Sequence, residues 1–160
     1  YIVYQLVKSQ IYKSIFSILL IFLLSLNVYD LINYHPYQSV FFNKFISDEK
    51  KLKFEIDTQS LSRVDALKEI LKENKKKVSI GTASWTPLED GRSLIPPNKW
   101  ESLHFVGTSL EEADFIYTNY YYELNTDYTD KYEIPENFSL YKNLIIDGTR
   151  IYSIYKKNNL

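Results

Sequence analysis

The sequence predicts an α/β protein with one transmembrane helix, a small mixed-sheet α/β domain with one main helix, and a C-terminal β-hairpin. Three observations support this fold class. Residues 14–29 carry no charge, residues 61–71 repeat apolar side chains at helical spacing, and Asp147-Gly148 lies between two strand patterns. We therefore expect one membrane-spanning element followed by one water-facing domain.

The length and composition fit this division. A chain of 160 residues, 45% hydrophobic and 24% charged, has room for one modest domain and one further element. We expect a transmembrane helix with its flanks in residues 1–33, a membrane-edge junction in residues 34–47, and an extracytoplasmic domain in residues 48–160. The sequence contains no methionine and begins with Tyr1, so we expect it to be a piece of a longer protein.

Charge and residue usage exclude several functional classes. The net charge of -1 offers no clustered positive surface for a nucleic acid. The sequence lacks cysteine, which removes thiol nucleophiles, disulfides and thiolate metal sites. With only His35 and His104 available as imidazole ligands, a zinc cluster is not expected. We assign no cofactor and no metal site to this chain.

The apolar run is hydrophobic around the whole helical circumference, which is typical of a membrane span rather than a surface helix. Ile11 and Tyr12 extend it past Lys13, whose stem can reach the interface. A secretory signal peptide and a buried core helix are the alternatives. Lys8 and Lys13 precede the run, so the positive-inside tendency predicts that the domain lies outside the cytoplasmic membrane.

The domain begins after a junction whose His35, Pro36, Gln38 and Asn43 are candidates for a membrane-edge or structural role. Residues 54–57 alternate apolar and polar side chains and predict a first strand that ends at Asp57, a further structural candidate. Residues 61–71 predict the main helix, with a capping-box pattern that starts at Ser62. Residues 78–83 predict the next strand, so we expect a parallel strand–helix–strand crossover.

The remaining elements follow in order. Residues 84–99 contain three prolines and Asp90-Gly91, and predict a long surface loop. Residues 100–106 and 115–119 predict strands, with a short helical turn from Ser109 between them. Residues 144–155 predict a hairpin with a type I′ turn. Aromatic residues in two loops are candidates for glycan contact, with ordinary packing as the alternative: Trp85, Tyr120, Tyr121 and Tyr122.

No pattern in the sequence fixes a catalytic geometry. The serines lack a nucleophile-elbow spacing, and the two histidines are far apart. The carboxylates considered as acid/base groups are Asp57, Glu89, Asp90, Glu111, Glu112 and Asp114. None of them occurs in a recognisable catalytic motif, so we assign no catalytic residue.

The order of features resembles the C-terminal part of bacterial multispanning glycosyltransferases related to the protein O-mannosyltransferase and aminoarabinose transferase group. The resemblance starts with an apolar span and the junction 35–43. It continues through residues 54–57, 61–67 and 113–119 to the Asp147-Gly148 hairpin. Where those proteins carry an Asp-Tyr-Trp-Gly-like stretch, this chain has residues 57–60, Asp-Thr-Gln-Ser.

This resemblance implies that the intact protein transfers a sugar from a polyprenyl-phosphate donor to a glycan or protein acceptor outside the cytoplasmic membrane. In that group the catalytic acidic residues lie in an early extracytoplasmic loop, which these 160 residues do not include. The fragment would then be non-catalytic by itself, with membrane lipid as its direct partner. The competing hypothesis is a single-span anchored domain that binds a partner or a glycan.

Overall fold

The computed structural model describes residues 10–40, 46–51, 56–57, 59–73, 77–122 and 130–158. The chain forms two compact units, Tyr1–Phe41 and Phe42–Leu160. The first contains helix α1, Gln10–Asn33, which is long and apolar enough to span a membrane. At ~1.5 Å per residue its 24 residues extend ~36 Å, more than the ~30 Å of a bilayer core. None of its residues is buried, unlike a helix at the core of a soluble protein.

The second unit is built on a five-stranded mixed sheet, which confirms the predicted fold class. The strands are β1 Val78–Thr82, β2 Leu103–Gly107, β3 Phe115–Thr118, β4 Phe138–Ile146 and β5 Thr149–Lys157. Their order in the sheet is β2-β1-β3-β5-β4. Strand β1 is parallel to β2 and β3, whereas β5 is antiparallel to β3 and β4. The three parallel strands therefore end at one common edge.

In the described part of this unit, the sheet is accompanied by the short helix α2, Asp48–Lys51, and the main helix α3, Ser62–Glu73. Helix α3 buries Ala66, Leu67 and Ile70 completely, and it packs against β5. Side chains alternate along a strand, so Tyr117 of β3 faces α3 while its neighbour Ile116 faces away. The opposite face of the sheet forms a second apolar cluster: Ala83, Leu110, Ala113, Ile116, Tyr132 and Phe138.

The predicted strand at 54–57 is wrong where the structure describes it, because Ile56 and Asp57 belong to no strand. Phe54 and Glu55 lie outside the described residues. Asp57 is instead buried as part of a side-chain network at the start of α3. The predicted strand–helix–strand crossover changes accordingly, and the parallel connections run from β1 to β2 and from β2 to β3.

The predicted surface loop 84–99 is also wrong, since this segment folds into the 3₁₀ helices Leu88–Leu94 and Pro97–Ser102. Buried Leu88 and Ile95 anchor it, and Pro97 suits a first helical position because its missing N–H is not needed there. The strand predicted from residue 100 begins at Leu103, because Trp100 belongs to the second 3₁₀ helix.

The capping box predicted at Ser62 is wrong, because Ser62 Oγ is bonded to Asp57 and Tyr117 instead. The predicted helical turn and hairpin are confirmed. A 3₁₀ turn spans Leu110–Glu112, and the last two strands form the expected hairpin. Asp147 and Gly148 have φ angles of 48° and 73°, and a type I′ turn requires positive φ at both positions. This turn closes the sheet on the side away from β2.

Candidate functional site

The junction residues after α1 form a small hydrogen-bonded turn. The His35-Pro36 peptide is cis, and Gln38 Nε2 lies 3.0 Å from His35 Nδ1 and 3.5 Å from the carbonyl oxygen of Leu31. These contacts tie the 3₁₀ helix Gln38–Val40 to the end of α1. The structural role of His35, Pro36 and Gln38 stays a prediction, and Asn43 lies outside the described residues.

Asp57 lies in the second unit, at the centre of a buried polar group that we call the Asp57 network: Asp57, Ser62, Ser84, Tyr117 and Asn119. The Asp57 side chain is only 4% exposed. It accepts hydrogen bonds from the Ser62 backbone N–H at 3.4 Å, from Ser62 Oγ at 2.5 Å and from Asn119 Nδ2 at 2.9 Å. The carboxylate therefore joins the start of α3 to the residue that follows β3.

The hydroxyl of Tyr117 continues the network. A carboxylate only accepts, so Ser62 Oγ must donate to Asp57 and can accept from Tyr117 OH at 2.5 Å. Burial and, to a lesser degree, the Asp57 carboxylate raise the pKa of Tyr117. The phenol consequently stays protonated and acts as a donor. Its position between the sheet and α3 makes it a structural bridge.

Ser84 and Asn119 extend the network to the carboxyl ends of β1 and β3. Ser84 Oγ is hydrogen-bonded to Asn119 Oδ1 and lies 3.0 Å from the carbonyl oxygen of Tyr121. The Asn119 amide thus accepts from Ser84 and donates to Asp57. In open sheets with parallel strands, ligands bind beyond the carboxyl ends of the strands, and this network supports that edge.

A cleft of about 300 Å³ opens at the same edge, beside the ends of β1 and β2. We call it the Trp85 cleft. Trp85 is 51% exposed, and its ring centroid lies 5.4 Å from that of Tyr121. Both polar and apolar groups line the cleft: Thr82, Ser84, Trp85, Pro87, Leu88, Glu89, Phe105, Gly107, Thr108, Lys131 and Tyr132.

The four aromatic residues predicted to contact glycan separate into two places. Trp85 lines the cleft, Tyr121 packs against it, and Tyr122 stacks on Tyr132 of the cleft wall with centroids 5.3 Å apart. Tyr120 instead donates to Ser153 Oγ at 2.6 Å and accepts from Arg150, which places it beside β5. Glycan contact stays a prediction for all four, and of these four Trp85 alone is among the residues that line the cleft.

The carboxylates considered from the sequence do not converge. Asp90 forms an ion pair with Arg63 at 3.0 Å, and Asp114 accepts from the Ser79 backbone N–H at 2.7 Å. Glu111 and Glu112 are exposed in the 3₁₀ turn, whereas Glu89 borders the Trp85 cleft. Within the described ranges, no three His, Asp or Glu side chains are grouped to hold a metal ion.

Sequence reasoning missed most of the residues that build this edge. Thr108 and Asn119 come directly after β2 and β3, and Ser84 comes two residues after the end of β1. Polar residues at such positions are a signal, because parallel strands deliver them to one edge. The sequence alone did not reveal this, since the order of the parallel strands depends on pairing between distant segments. No family model, curated protein or solved structure matches the chain.

Proposed function

We propose that the chain is the final span and C-terminal domain of a membrane glycosyltransferase that transfers a sugar from a polyprenyl-phosphate donor to an extracytoplasmic acceptor. The observation that carries the proposal is the order of the two units. An apolar helix of 24 residues is followed by the His35–Gln38 turn and then by one α/β unit. This is the order on which the resemblance to multispanning glycosyltransferases rests.

The proposal gives the α/β domain a non-catalytic role. Asp57 is buried, and its carboxylate already accepts three hydrogen bonds, which suits an anchor better than a general base. Glu89 is exposed beside the cleft without a second carboxylate among the lining residues. The transfer chemistry would then belong to a part of the intact protein outside these 160 residues.

The orientation follows from charge. Lys8 and Lys13 precede the apolar part of α1, while Asp30 lies near its end. Because cytoplasmic flanks of spans are enriched in Lys and Arg, the amino-terminal side would be cytoplasmic and the domain extracytoplasmic. These 160 residues contain no cysteine, so once any upstream cysteine is replaced, a single introduced thiol can measure this orientation.

Cysteine labelling of intact cells tests the orientation. The substitution Asn98→Cys introduces a thiol at an exposed position of the domain, and Ser9→Cys introduces one before α1. A membrane-impermeant maleimide should label Asn98→Cys in intact cells and Ser9→Cys only after permeabilisation. The reverse pattern would place the domain in the cytoplasm and contradict an extracytoplasmic acceptor.

The activity is tested with the intact protein, including its natural upstream sequence, in lipid nanodiscs. Short-chain polyprenyl-phosphate mannose and aminoarabinose are supplied as donors, and released polyprenyl phosphate is measured by chromatography. Release above that of empty nanodiscs is the expected result. No release from either donor, with and without a membrane glycolipid acceptor, would overturn the assignment to this transferase group.

A single-span anchored binding domain is the second candidate, and the Trp85 cleft favours it because the cleft lies within the domain itself. The two candidates differ in what precedes Tyr1 in the intact protein. Several further apolar spans and an acidic extracytoplasmic loop support the transferase, whereas an initiator close to α1 supports the anchored domain. Ligand binding without transfer activity would favour the second candidate.

A further inference from the structure

The Trp85 cleft combines an exposed aromatic ring, hydroxyl groups and offset charges beside the carboxyl ends of two parallel strands. We propose that this cleft binds one uncharged sugar unit of the acceptor glycan. The binding of a sugar is inferred from the cleft alone, while its description as an acceptor rests on the proposed function.

Trp85 provides an aromatic surface that is positioned by contacts with Tyr121. Its backbone N–H donates to the Tyr121 carbonyl oxygen at 2.8 Å, and its ring is tilted by 35° against the Tyr121 ring. Even so, about half of the residue stays exposed. A fixed, exposed indole offers a large apolar face at little conformational cost, and the C–H face of a pyranose ring is complementary to it.

The polar lining suits the hydroxyl groups of a sugar. The Glu89 carboxylate can accept from hydroxyls, and Thr108 can donate and accept. The Lys131 ammonium lies 4.7 Å over the Tyr132 ring, and its three N–H groups include donors that can reach a hydroxyl. One carboxylate and one ammonium group offset each other, so the lining does not select a phosphate or another polyanion. These groups fix orientation, whereas Pro87, Leu88 and Phe105 supply the apolar remainder.

Size and backbone exposure limit the occupant. A volume of about 300 Å³ lies at the small end of ligand sites, which favours a single sugar unit over a long oligosaccharide. Gly107 lines the cleft with a φ of +58°, and a Cβ atom there would meet nothing within 4 Å. A ligand can therefore approach the backbone where β2 ends.

The test uses the full chain in nanodiscs, since maltoside detergents would compete for a sugar site. Trp85 and Trp100 are the only tryptophans of the sequence, so Trp100→Phe leaves Trp85 as a unique fluorescent reporter. Methyl glycosides of mannose, glucose and N-acetylglucosamine are titrated, with glucuronic acid and glucose 1-phosphate as anionic probes. A saturable change in Trp85 emission with at least one neutral glycoside is expected.

Saturation-transfer NMR then measures glycoside binding to the unmodified chain and to two variants. Trp85→Ala should weaken the neutral glycoside at least tenfold, about 1.4 kcal/mol, and Glu89→Gln should weaken it without altering unfolding. The matched control is Trp100→Phe, because Trp100 lies outside the cleft with its Nε1 bonded to the Ile95 carbonyl oxygen at 2.9 Å. This control should bind like the unmodified chain.

Each outcome decides the inference. No saturable binding of any glycoside, or equal binding by Trp85→Ala, overturns it, and preferential binding of an anionic probe overturns its neutral character. These measurements contain no donor, so they are independent of transfer. Transfer without sugar binding would contradict only the cleft assignment, and sugar binding without transfer would contradict only the transferase.

Discussion

The parallel and antiparallel halves of the sheet differ in strand length and in the features at their strand ends. The parallel half, β2-β1-β3, has strands of four or five residues, and their carboxyl ends carry the Asp57 network and the Trp85 cleft. The antiparallel half, β5-β4, has nine-residue strands joined by the Asp147-Gly148 turn. The carboxyl ends of parallel strands lie at one edge of the sheet, whereas the carboxyl ends of the two strands of a hairpin lie at opposite edges.

The two halves also differ in the hydrogen bonding of a buried threonine. Thr118, at the end of β3, accepts a hydrogen bond from the Tyr120 backbone N–H at 3.1 Å. Thr149, at the start of β5, is equally buried, but its Oγ1 has no hydrogen-bond partner among the described residues. Among the described residues, the buried threonine hydroxyl of the parallel half is therefore hydrogen-bonded and that of the hairpin is not.

Loss of the Asp57 carboxylate should have the largest effect on the parallel half. Asp57→Ala leaves two donors of Ser62 and one of Asn119 unpaired in a buried place, so we expect a loss of about 3 kcal/mol in the free energy of unfolding. Urea unfolding of the full chain in nanodiscs measures it, because Trp85 and Trp100 both report on the domain.

The matched control is Asp90→Ala, which removes a carboxylate that is exposed and paired with Arg63. An exposed ion pair contributes at most about 1 kcal/mol, so this variant should unfold close to the unmodified chain. Equal losses for the two variants would show that burial of the Asp57 network does not set its importance.

Much of the fold could be predicted because its signals are local. The apolar run, the helical spacing before Glu73 and the Asp147-Gly148 pair each define an element within a few residues. The 3₁₀ helices of residues 88–102 were not predicted, since prolines indicate a loop unless the burial of Leu88 and Ile95 is known.

The candidate site was harder to predict because its contacts are distant in the sequence. Asp57 and Asn119 are 62 positions apart, and Ser62 and Tyr117 are 55 apart. Helix α3, which begins at Ser62, packs against the sheet and brings them together. Trp85 was found from its residue type alone, whereas the cleft beside it depends on β2 and on Tyr132, which no local pattern connects.

Strain in the turn should be the next largest effect, this time in the hairpin half. Gly148 has a φ of 73°, a left-handed conformation that costs a residue with a Cβ atom about 1–2 kcal/mol. Gly148→Ala should lower the free energy of unfolding by about that amount. Gly148→Asn is the matched control and should lose less, because asparagine tolerates this region. Equal losses in the free energy of unfolding would mean that contacts of the new side chain, rather than backbone strain, cause the destabilisation.

The two buried threonines give a sharper comparison at about 1 kcal/mol. Thr149→Val removes a hydroxyl that has no partner in the described part of the chain, so it should stabilise the domain. Thr118→Val removes an acceptor used by the Tyr120 N–H and should destabilise it by a similar amount. Differential scanning calorimetry of both variants measures the signs. The same sign for both would remove the distinction between the two halves.

The smallest expected effect concerns alkaline pH and the hairpin half. Burial, with the nearby carboxylates of Asp65 and Glu69, raises the pKa of Tyr152 of β5 to about 12, from about 10 in an unfolded chain. A raised pKa means that the folded state binds this proton more tightly. The contribution of the Tyr152 proton to the free energy of unfolding is fully present below pH ~10 and is lost as the pH rises through ~12.

Tyr152→Phe should therefore leave stability at pH 9 nearly unchanged and reduce the decline between pH 10 and pH 12, measured by urea unfolding at each pH. Tyr155, whose pKa is also raised to about 12 by burial, still titrates in this variant, so the decline should become shallower without disappearing. The pKa of Tyr117 in the parallel half is raised further, because its phenol is more deeply buried and lies near the Asp57 carboxylate. If the free energy of unfolding falls equally with pH in the variant and in the unmodified chain, ionisation of Tyr152 does not contribute to alkaline unfolding.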